Sequence, residues 1–368
     1  MTGMPSSDQK PLTFKGRAAS SNLVSRFDAH TRETFDDGWG SLDEAAPPLK
    51  TEVMVDATKS VINYVNSPDI PFDRTINPYR GCEHGCIYCY ARPSHAYLGL
   101  SPGLDFESRL LMKPDAPEIL KKELAKPNYQ CAPIALGMNT DAYQPIEREY
   151  ALTRKIIEIL SEANHPFSLV TKSALVERDI DLIAPMAKKG LASIWLSITT
   201  LDRNIARKLE PRAAAPERRF ETLQKLSEAG IPTGVMVAPM IPALNDGDME
   251  KILEKAHLAG ARKAGYVFLR LPLELTPLFE AWLQQNFPLK ASHVMSLVKQ
   301  SRDGKTYKSA FGKRMRGEGV FADLLATRFK LACQKLGMDG ERLKLNSQIF
   351  AVPERWKSKK EEKQMGLF

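Results

Sequence analysis

Short apolar runs alternate with amphipathic stretches between about residue 70 and residue 270. Within the stretches, apolar residues recur at helical spacing, as at Ile156, Ile157 and Leu160. Six of the runs have strand length: 74–77, 132–137, 167–171, 193–198, 233–238 and 266–271. Strands that alternate with helices predict a parallel βα-repeat sheet, which is either doubly wound or a full or partial barrel.

Polar residues cluster where the predicted strands end. A cysteine-containing loop follows the first run, Asn139-Thr140-Asp141 follows the second, and Thr171-Lys172 ends the third. Ser197 lies within the fourth run. Parallel α/β sheets bind their ligands at the carboxyl ends of the strands, so this edge is predicted to hold the functional site.

The chain divides into four predicted segments. Residues 1–55 are polar with little periodicity and are expected to form a partly disordered arm, followed by the core at 56–275. Residues 276–353 are predicted to form a helical C-terminal extension, and residues 354–368 a charged tail that ends in an apolar tag. Four residues of the arm are expected to be solvated or to contact a polyanion: Lys15, Gly16, Arg17 and Arg26.

Composition narrows the class of protein. The chain has 368 residues, of which 43% are hydrophobic and 26% charged, as in a soluble globular protein. No apolar run approaches the ~20 residues of a membrane helix, and the first ten residues lack the apolar stretch of a secretory signal. A cytoplasmic location without membrane contact is therefore expected. The net charge of +8 is compatible with a nucleic-acid partner.

Three of the five cysteines, Cys82, Cys86 and Cys89, lie on one glycine-containing loop. An odd cysteine count without an export signal favours a metal site over disulfides. Thiolates select iron–sulfur clusters or zinc, and the three-cysteine set favours a cluster with one iron left open. The alternatives are buried, inert cysteines or a zinc site, whose fourth ligand would be one of His84, His95 and Cys131.

The C-x3-C-x2-C spacing, with Tyr88 just before the last cysteine, resembles the radical S-adenosylmethionine (radical SAM) superfamily. This resemblance implies a [4Fe–4S] cluster on Cys82, Cys86 and Cys89. It also implies that the fourth iron chelates the amino and carboxylate groups of S-adenosylmethionine. The fold that it implies is a partial (β/α)6 TIM-like barrel, covering roughly residues 70–270.

Several segments resemble the spore photoproduct lyase group within that superfamily. Tyr88 and Tyr90 flank Cys89, the segment 137–141 resembles the strand end that contacts the methionyl group, and 229–239 resembles the strand beside the adenosyl group. Tyr90 is then implied as a hydrogen-atom relay. The residues implied to position the cofactor are Tyr88, Asn139, Thr140, Lys172, Ser197 and Ala238. Each also has a structural interpretation, as a core aromatic, a solvated lysine or a satisfied hydroxyl.

One position departs from the lyase pattern. Met138 stands where lyases carry the cysteine that returns a hydrogen atom, and a thioether has no S–H to give. Cys131 lies seven residues earlier and, like Cys333, is interpreted as an ordinary buried cysteine. The superfamily is therefore predicted, whereas complete photoproduct reversal is left open.

Two features point to DNA. The loop 301–320 interleaves Tyr307 and Phe311 with six cations, which favours contact with phosphates and an exposed base, unless it is only a solvated loop with core aromatics. The six cations are Arg302, Lys305, Lys308, Lys313, Arg314 and Arg316. At the end of the chain, Gln364, Leu367 and Phe368 resemble the peptide that binds the bacterial sliding clamp.

Together these patterns predict a radical SAM enzyme that acts on DNA, reduced by a donor such as flavodoxin or ferredoxin. Its reduced cluster would cleave S-adenosylmethionine to a 5′-deoxyadenosyl radical, which abstracts hydrogen from the substrate. The alternatives are radical modification of RNA or protein, and a non-catalytic, zinc-stabilised nucleic-acid adaptor.

Overall fold

The computed structural model describes residues 14–27, 49–341 and 343–356. The strands are β1 (Glu52–Val55), β2 (Ile62–Tyr64), β3 (Arg74–Ile76), β4 (Tyr79–Arg80), β5 (Arg109–Met112), β6 (Ile134–Leu136), β7 (Phe167–Thr171), β8 (Ala192–Ser197), β9 (Thr233–Met240) and β10 (Lys263–Phe268). The helices are α1 (Leu104–Ser108), α2 (Ala116–Leu124), α3 (Glu147–Tyr150), α4 (Leu152–Glu162), α5 (Ile180–Lys188), α6 (Arg203–Leu209), α7 (Pro216–Glu228), α8 (Met249–Leu258), α9 (Leu275–Asn286), α10 (Pro288–Gln300) and α11 (Val320–Lys335).

The main sheet has seven strands in the order β10-β9-β8-β7-β6-β3-β2. Six strands of this sheet are parallel and follow chain order: β3, β6, β7, β8, β9 and β10. Strand β2 is antiparallel to β3 at one edge. Each of the six predicted runs overlaps one of these parallel strands. Within the described residues β10 does not pair with β2, so the sheet stays open. The predicted α/β class with a partial (β/α)6 arrangement is confirmed.

Burial on both faces explains why these strands are apolar runs rather than alternating patterns. All three residues of β6 are buried, as are five of the six residues of β8. The helices between the strands cover the sheet with their apolar faces; Ile156, Ile157 and Leu160 of α4 are buried in the main core. Parallel pairing of successive strands then brings all their carboxyl ends to one edge.

A second sheet, in the order β1-β5-β4, was not predicted from the sequence. Strand β4 pairs antiparallel with β5, through Tyr79 with Met112 and Arg80 with Leu111. Because β4 ends directly before the cysteine loop, this small sheet fixes where the loop begins.

The C-terminal region is helical, as predicted. Helices α9 and α10 pack together, and α11 packs on α8 and β10. None of the helices in the described ranges is long and apolar enough to cross a membrane.

Residues 14–27 of the predicted arm pack against the folded core. Arg17 is buried and donates to the carbonyl of Glu107 at 2.5 Å and to the Thr51 hydroxyl at 2.8 Å. Arg26 forms an ion pair with Glu274 at 2.7 Å. The expectation that Arg17 is solvated or free for a polyanion is therefore wrong, because its guanidinium group is buried with partners inside the protein, whereas Arg26 remains exposed.

Candidate active site at the carboxyl edge of the sheet

The cysteine loop follows β3 and β4 at the carboxyl edge of the sheet. The amide of Cys82 donates to the carbonyl of Phe106 at 2.9 Å, which fixes the start of the loop. Two tight turns follow, in which Gly85 N donates to Cys82 O at 3.1 Å and Cys89 N donates to Cys86 O at 3.2 Å. These turns keep the three cysteines on one compact loop.

Two glycines are required by this path. Gly81 and Gly85 have φ values of 73° and 65°, in the left-handed region that glycine adopts at little cost. A Cβ on Gly81 would lie 2.6 Å from Leu110 Cδ2, and one on Gly85 would lie 2.6 Å from Glu107 Oε2. The loop is therefore pressed against α1 and β5 and has no room for side chains at these positions.

A buried ion pair holds the loop from behind. Arg92 Nη2 lies 2.5 Å from Glu107 Oε1, with both side chains fully buried. Arg92 also donates to Cys86 O at 2.8 Å and to Gly85 O at 2.9 Å, inside the loop itself. The carboxylate of Glu107 accepts from the amides of Ala18 and Ala19, both at 3.0 Å. One carboxylate thus joins the N-terminal segment to the cysteine loop.

The three thiols suit a positively charged centre. All are free, and Cys82 and Cys86 are only 6% and 7% exposed. Burial raises the pKa of Cys82 well above its usual range, and the neighbouring Asp141, Cys86 and Cys89 raise it further. Burial likewise raises the pKa of Cys86 to about 12. Neighbouring thiolates in a buried site repel one another unless a cationic centre compensates them, as an iron–sulfur cluster does.

The three residues considered as a fourth zinc ligand differ in their surroundings. His84 Nδ1 pairs with Asp141 at 3.3 Å, and His95 Nε2 lies 2.9 Å from the carbonyl of Arg109, while the buried His95 Nδ1 has no hydrogen-bond partner among the described residues. Cys131 precedes β6, at the opposite end of that strand from the loop. Within the described residues, no group of three His, Cys, Asp or Glu side chains is suited to a single metal ion.

Asp141 organises the strand ends beside the loop. Its carboxylate accepts from the Thr171 hydroxyl at 2.7 Å, the amide of Lys172 at 2.8 Å and the amide of Tyr143 at 2.9 Å. Burial opposes ionisation, but His84 and these hydrogen bonds hold the pKa of Asp141 well below its usual range. Asp141 was predicted to lie at this edge, but no sequence motif indicates that its carboxylate joins the neighbouring strand ends.

A second buried network lies on the other side of the loop. The Tyr88 hydroxyl donates to Glu210 and lies 3.2 Å from Thr199 Oγ1. Arg219 donates to the same Glu210 carboxylate and, at 2.8 Å, to the carbonyl of Ser197. Glu210 and Arg219 were not singled out from the sequence, because they meet Tyr88 only through the fold. Tyr88 is thereby oriented through its hydroxyl.

Lys172 projects into the space between the two networks. Its ammonium lies 5.9 Å from the centroid of the Tyr88 ring and forms no ion pair with any described residue. Burial works to lower the pKa of Lys172, but electrostatic interactions with Cys86 and Glu210 outweigh burial and raise that pKa. A charged lysine beside the cysteine loop suits a carboxylate ligand.

The remaining predicted cofactor residues lie at neighbouring strand ends. Thr140 is buried and donates to Tyr79 O at 2.9 Å, and the amide of Asn139 donates to Asn77 Oδ1 at 2.8 Å. Ser197 Oγ donates to Ala238 O at 3.3 Å, which joins the ends of β8 and β9. The structure thus brings the predicted residues together along one edge.

Tyr90 is one of two predicted site residues that are exposed, the other being Asn139. The Tyr90 side chain is 45% exposed, and its hydroxyl donates to the carbonyl of Met138. Arg270, just beyond β10, lies over the Tyr90 ring at 5.1 Å and over the Tyr307 ring at 6.0 Å. Arg270 was not predicted; no motif marks it, since only the sheet brings it to the cysteine loop.

The basic loop 301–320 is less available than predicted. Arg302 is buried and donates to Leu269 O at 2.7 Å, so the expectation that it contacts DNA is wrong. Arg314 pairs with Asp69, while Lys308 and Lys313 pair with Glu318 at 2.8 and 2.5 Å.

Three residues of this loop that were predicted to contact DNA are exposed in the described part of the chain. Lys305 and Arg316 are exposed and form no ion pair with described residues, and Phe311 is 56% exposed. Tyr307 is half-buried beside Arg270. The clamp-like residues Gln364, Leu367 and Phe368 lie outside the described residues.

Comparison with known proteins identifies the superfamily. A family model described as the radical SAM superfamily matches residues 76–256. An uncharacterized protein of Mycobacterium bovis is 36% identical over 245 residues, which cover 66% of this chain and 72% of that protein. One of Methanocaldococcus jannaschii is 30% identical over 242 residues, covering 65% of this chain and 85% of that protein.

Among solved structures, spore photoproduct lyase complexed with a dinucleoside spore photoproduct has a similar fold. Its TM-score is 0.54 at 17% identity, over 77% of this chain and 78% of the lyase. At that identity the likeness concerns the fold. The chain belongs to the radical SAM superfamily, whose enzymes use a [4Fe–4S] cluster and S-adenosylmethionine.

Proposed function

We propose that this radical SAM protein is a cytoplasmic enzyme that acts on damaged DNA, with its cluster held by Cys82, Cys86 and Cys89. The ligand assignment is supported by the two tight turns that keep these three free thiols on one loop at the carboxyl edge of the sheet. Three thiolates would hold a [4Fe–4S] cluster with one position left open to a cofactor, since a closed cluster takes four cysteines.

A bound cluster and S-adenosylmethionine would supply the reductive C–S cleavage and the hydrogen abstraction from the substrate. The chain binds and orients the participants. Lys172 provides a cation for the cofactor carboxylate, since its ammonium forms no ion pair with any described residue. Tyr88 and Ser197 are held rigid by Glu210 and Arg219, which keeps the cofactor wall in place. Asn139, Thr140 and Ala238 complete that wall at the neighbouring strand ends.

The observation that carries the choice of substrate is the row Tyr90, Arg270 and Tyr307 beside the cysteine loop. Arg270 forms no ion pair with any described residue. Its Nε atom is buried and has no hydrogen-bond partner among those residues. A guanidinium group without a carboxylate suits a phosphodiester, and the flanking rings suit an unstacked base. A spore photoproduct lyase of similar fold was solved with a dinucleoside lesion, which supports the same substrate class.

Tyr90 is proposed to relay the hydrogen atom. Met138 has no S–H, and Cys131 lies before the other end of β6. Tyr90 is the exposed O–H beside the loop, and its hydrogen bond to the Met138 carbonyl holds it at the position where lyases carry their cysteine. RNA and protein substrates remain the competing candidates.

The proposal is tested by incubating the anaerobically reconstituted, reduced enzyme and S-adenosylmethionine with UV-irradiated DNA. Mass spectrometry of the digested DNA should show loss of a thymine photoproduct and recovery of thymine. Unirradiated DNA and irradiated RNA of the same sequence serve as controls. An unchanged lesion content, measured while the cofactor is being cleaved, would contradict DNA repair.

Replacing Arg270 by glutamine should weaken binding of irradiated DNA about tenfold and reduce the slope of log affinity against log salt by about one. The matched control is Arg262→Gln, because Arg262 is exposed at the amino end of β10, away from the site. Binding is measured by fluorescence anisotropy over a salt series. Equal effects of the two variants would remove Arg270 from the DNA surface.

The C-terminal Gln364, Leu367 and Phe368 are proposed to recruit the enzyme to the sliding clamp. Leu367→Ala combined with Phe368→Ala should abolish binding to purified clamp without changing cofactor cleavage. Binding that is unchanged in the double variant would contradict this role.

A further inference from the structure

An exposed aromatic pair, Phe27 and Tyr97, lies outside the predicted site. Tyr97 belongs to a short 3-10 helix at Arg92–Leu98, which follows the cysteine loop in the chain. The two ring centroids are 5.2 Å apart, with an angle of 47° between the ring planes. Tyr97 is 73% exposed, and Phe27 is exposed as well. Two large aromatic side chains in contact at the surface are typical of a binding surface rather than of core packing.

Arg26 holds the two rings in place without giving them a net charge. Its guanidinium carbon lies 4.6 Å from the centroid of the Phe27 ring and 4.9 Å from that of Tyr97. The same guanidinium group donates to both carboxylate oxygens of Glu274, at 2.7 and 2.8 Å. Because Glu274 neutralises Arg26, a phosphate gains little at this position. The aromatic pair therefore suits an uncharged, planar ligand group that stacks on a ring.

The segment after β10 joins the aromatic pair to the row Tyr90, Arg270 and Tyr307. Arg270 lies 5.1 Å from the centroid of the Tyr90 ring. Glu274 follows Arg270 by four residues, which span at most about 14 Å. Between them, Leu273 is exposed and has a φ of 52°, in the left-handed region that leucine rarely adopts. The chain thus accepts local strain in the turn that connects the two surfaces.

We propose that Phe27 and Tyr97 form a stacking platform for a base of the DNA strand next to the lesion. An enzyme that draws a damaged base out of the stack disrupts the stacking of the neighbouring bases, and aromatic side chains replace it. At about 3.4 Å per stacked nucleotide, a separation of about 14 Å corresponds to some four nucleotides. The platform would therefore bind a base within about four nucleotides of the lesion. This inference rests on the proposed DNA substrate and adds a second base-binding site to it.

The test compares two ligands by isothermal titration calorimetry with the anaerobic holoenzyme, without reductant so that the lesion stays intact. One ligand is a dinucleotide that carries the thymine photoproduct, and the other is a single-stranded decanucleotide with the same photoproduct at its centre. Tyr97→Ala should weaken binding of the decanucleotide about tenfold and leave the dinucleotide unchanged, because only the longer strand reaches the platform. The loss should persist at high salt, since no charge is removed. Tyr97→Phe keeps the ring and should bind both ligands like the wild type.

Tyr64→Ala is the matched control. Tyr64 is 68% exposed and also has an arginine beside its ring, with the Arg74 guanidinium carbon 5.3 Å from the centroid. It pairs with the first residue of β3, however, and so lies at the opposite edge of the sheet from the cysteine loop. Tyr64→Ala should bind both ligands like the wild type.

The possible failures are distinguishable. Wild-type affinity of Tyr97→Ala for the decanucleotide would overturn the platform while leaving the DNA substrate in place. An equal loss for both ligands in Tyr97→Ala, or equal losses in Tyr97→Ala and Tyr64→Ala, would do the same, because the effect would not depend on the flanking strand or on this site. If the wild type bound neither ligand, the DNA substrate and the platform would both be refuted.

Discussion

Replacing Cys86 by alanine should remove most of the iron from the reconstituted protein and reduce cleavage of S-adenosylmethionine below detection. Cys86 is buried in the middle of the loop, and a cluster held by two thiolates would lack a third ligand. The fold should survive, because the carbonyl of Cys86 still accepts from Arg92 and only one sulfur atom is lost. A change in unfolding free energy of about 1 kcal/mol is typical of such a truncation.

Cys333→Ala is the matched control, since Cys333 is also a buried, free cysteine but lies on α11, far from the loop in the chain. Iron and acid-labile sulfide are quantified together with the visible absorbance of the cluster, and circular dichroism reports the fold. Full iron content and activity in Cys86→Ala would contradict the ligand assignment.

Replacing Glu107 by glutamine should destabilise the apo protein by about 3 kcal/mol or more, because it leaves the buried charge of Arg92 without a counterion. Glutamine has nearly the same shape, so the loss is electrostatic rather than a cavity. The cysteine loop should also loosen, since Arg92 holds two of its carbonyls, and iron loading should fall.

The same substitution at Glu118 provides the comparison. Glu118 pairs with Lys121 at 2.7 Å on the surface of α2, where an ion pair contributes only about 0–1 kcal/mol. Both variants are unfolded with denaturant under anaerobic, reducing conditions and without iron. Equal losses of stability would show that the Arg92–Glu107 pair does not anchor the loop.

The repeat was predictable because the central strands, such as β6 and β8, are buried on both faces and the helices between the strands are amphipathic. Most strands of the sheet can therefore be predicted from local sequence patterns. Their parallel pairing then brings the strand-end residues Thr140, Lys172 and Ser197 to one edge. The cysteine loop was predictable for another reason: its three cysteines are close in the chain, so spacing alone indicates a shared ligand.

What the sequence did not reveal depends on contacts between distant segments. Glu210 reaches Tyr88 across 122 positions, and Glu107 binds the amides of Ala18 and Ala19 across almost 90. The arginines show the same limit. Arg302 and Lys305 look alike in the basic loop, yet Arg302 is buried and donates to the carbonyl of Leu269, just beyond β10, whereas Lys305 is exposed, because burial is decided by the fold.

The most direct test of the account measures 5′-deoxyadenosine formed from S-adenosylmethionine by the anaerobically reconstituted, dithionite-reduced protein. Reactions contain UV-irradiated DNA, unirradiated DNA or no nucleic acid. The account predicts that 5′-deoxyadenosine forms and that irradiated DNA increases its rate several-fold over both controls. Absence of 5′-deoxyadenosine in every reaction of an iron-loaded protein would contradict the assigned chemistry, and formation at the same rate in all three would contradict DNA as the substrate.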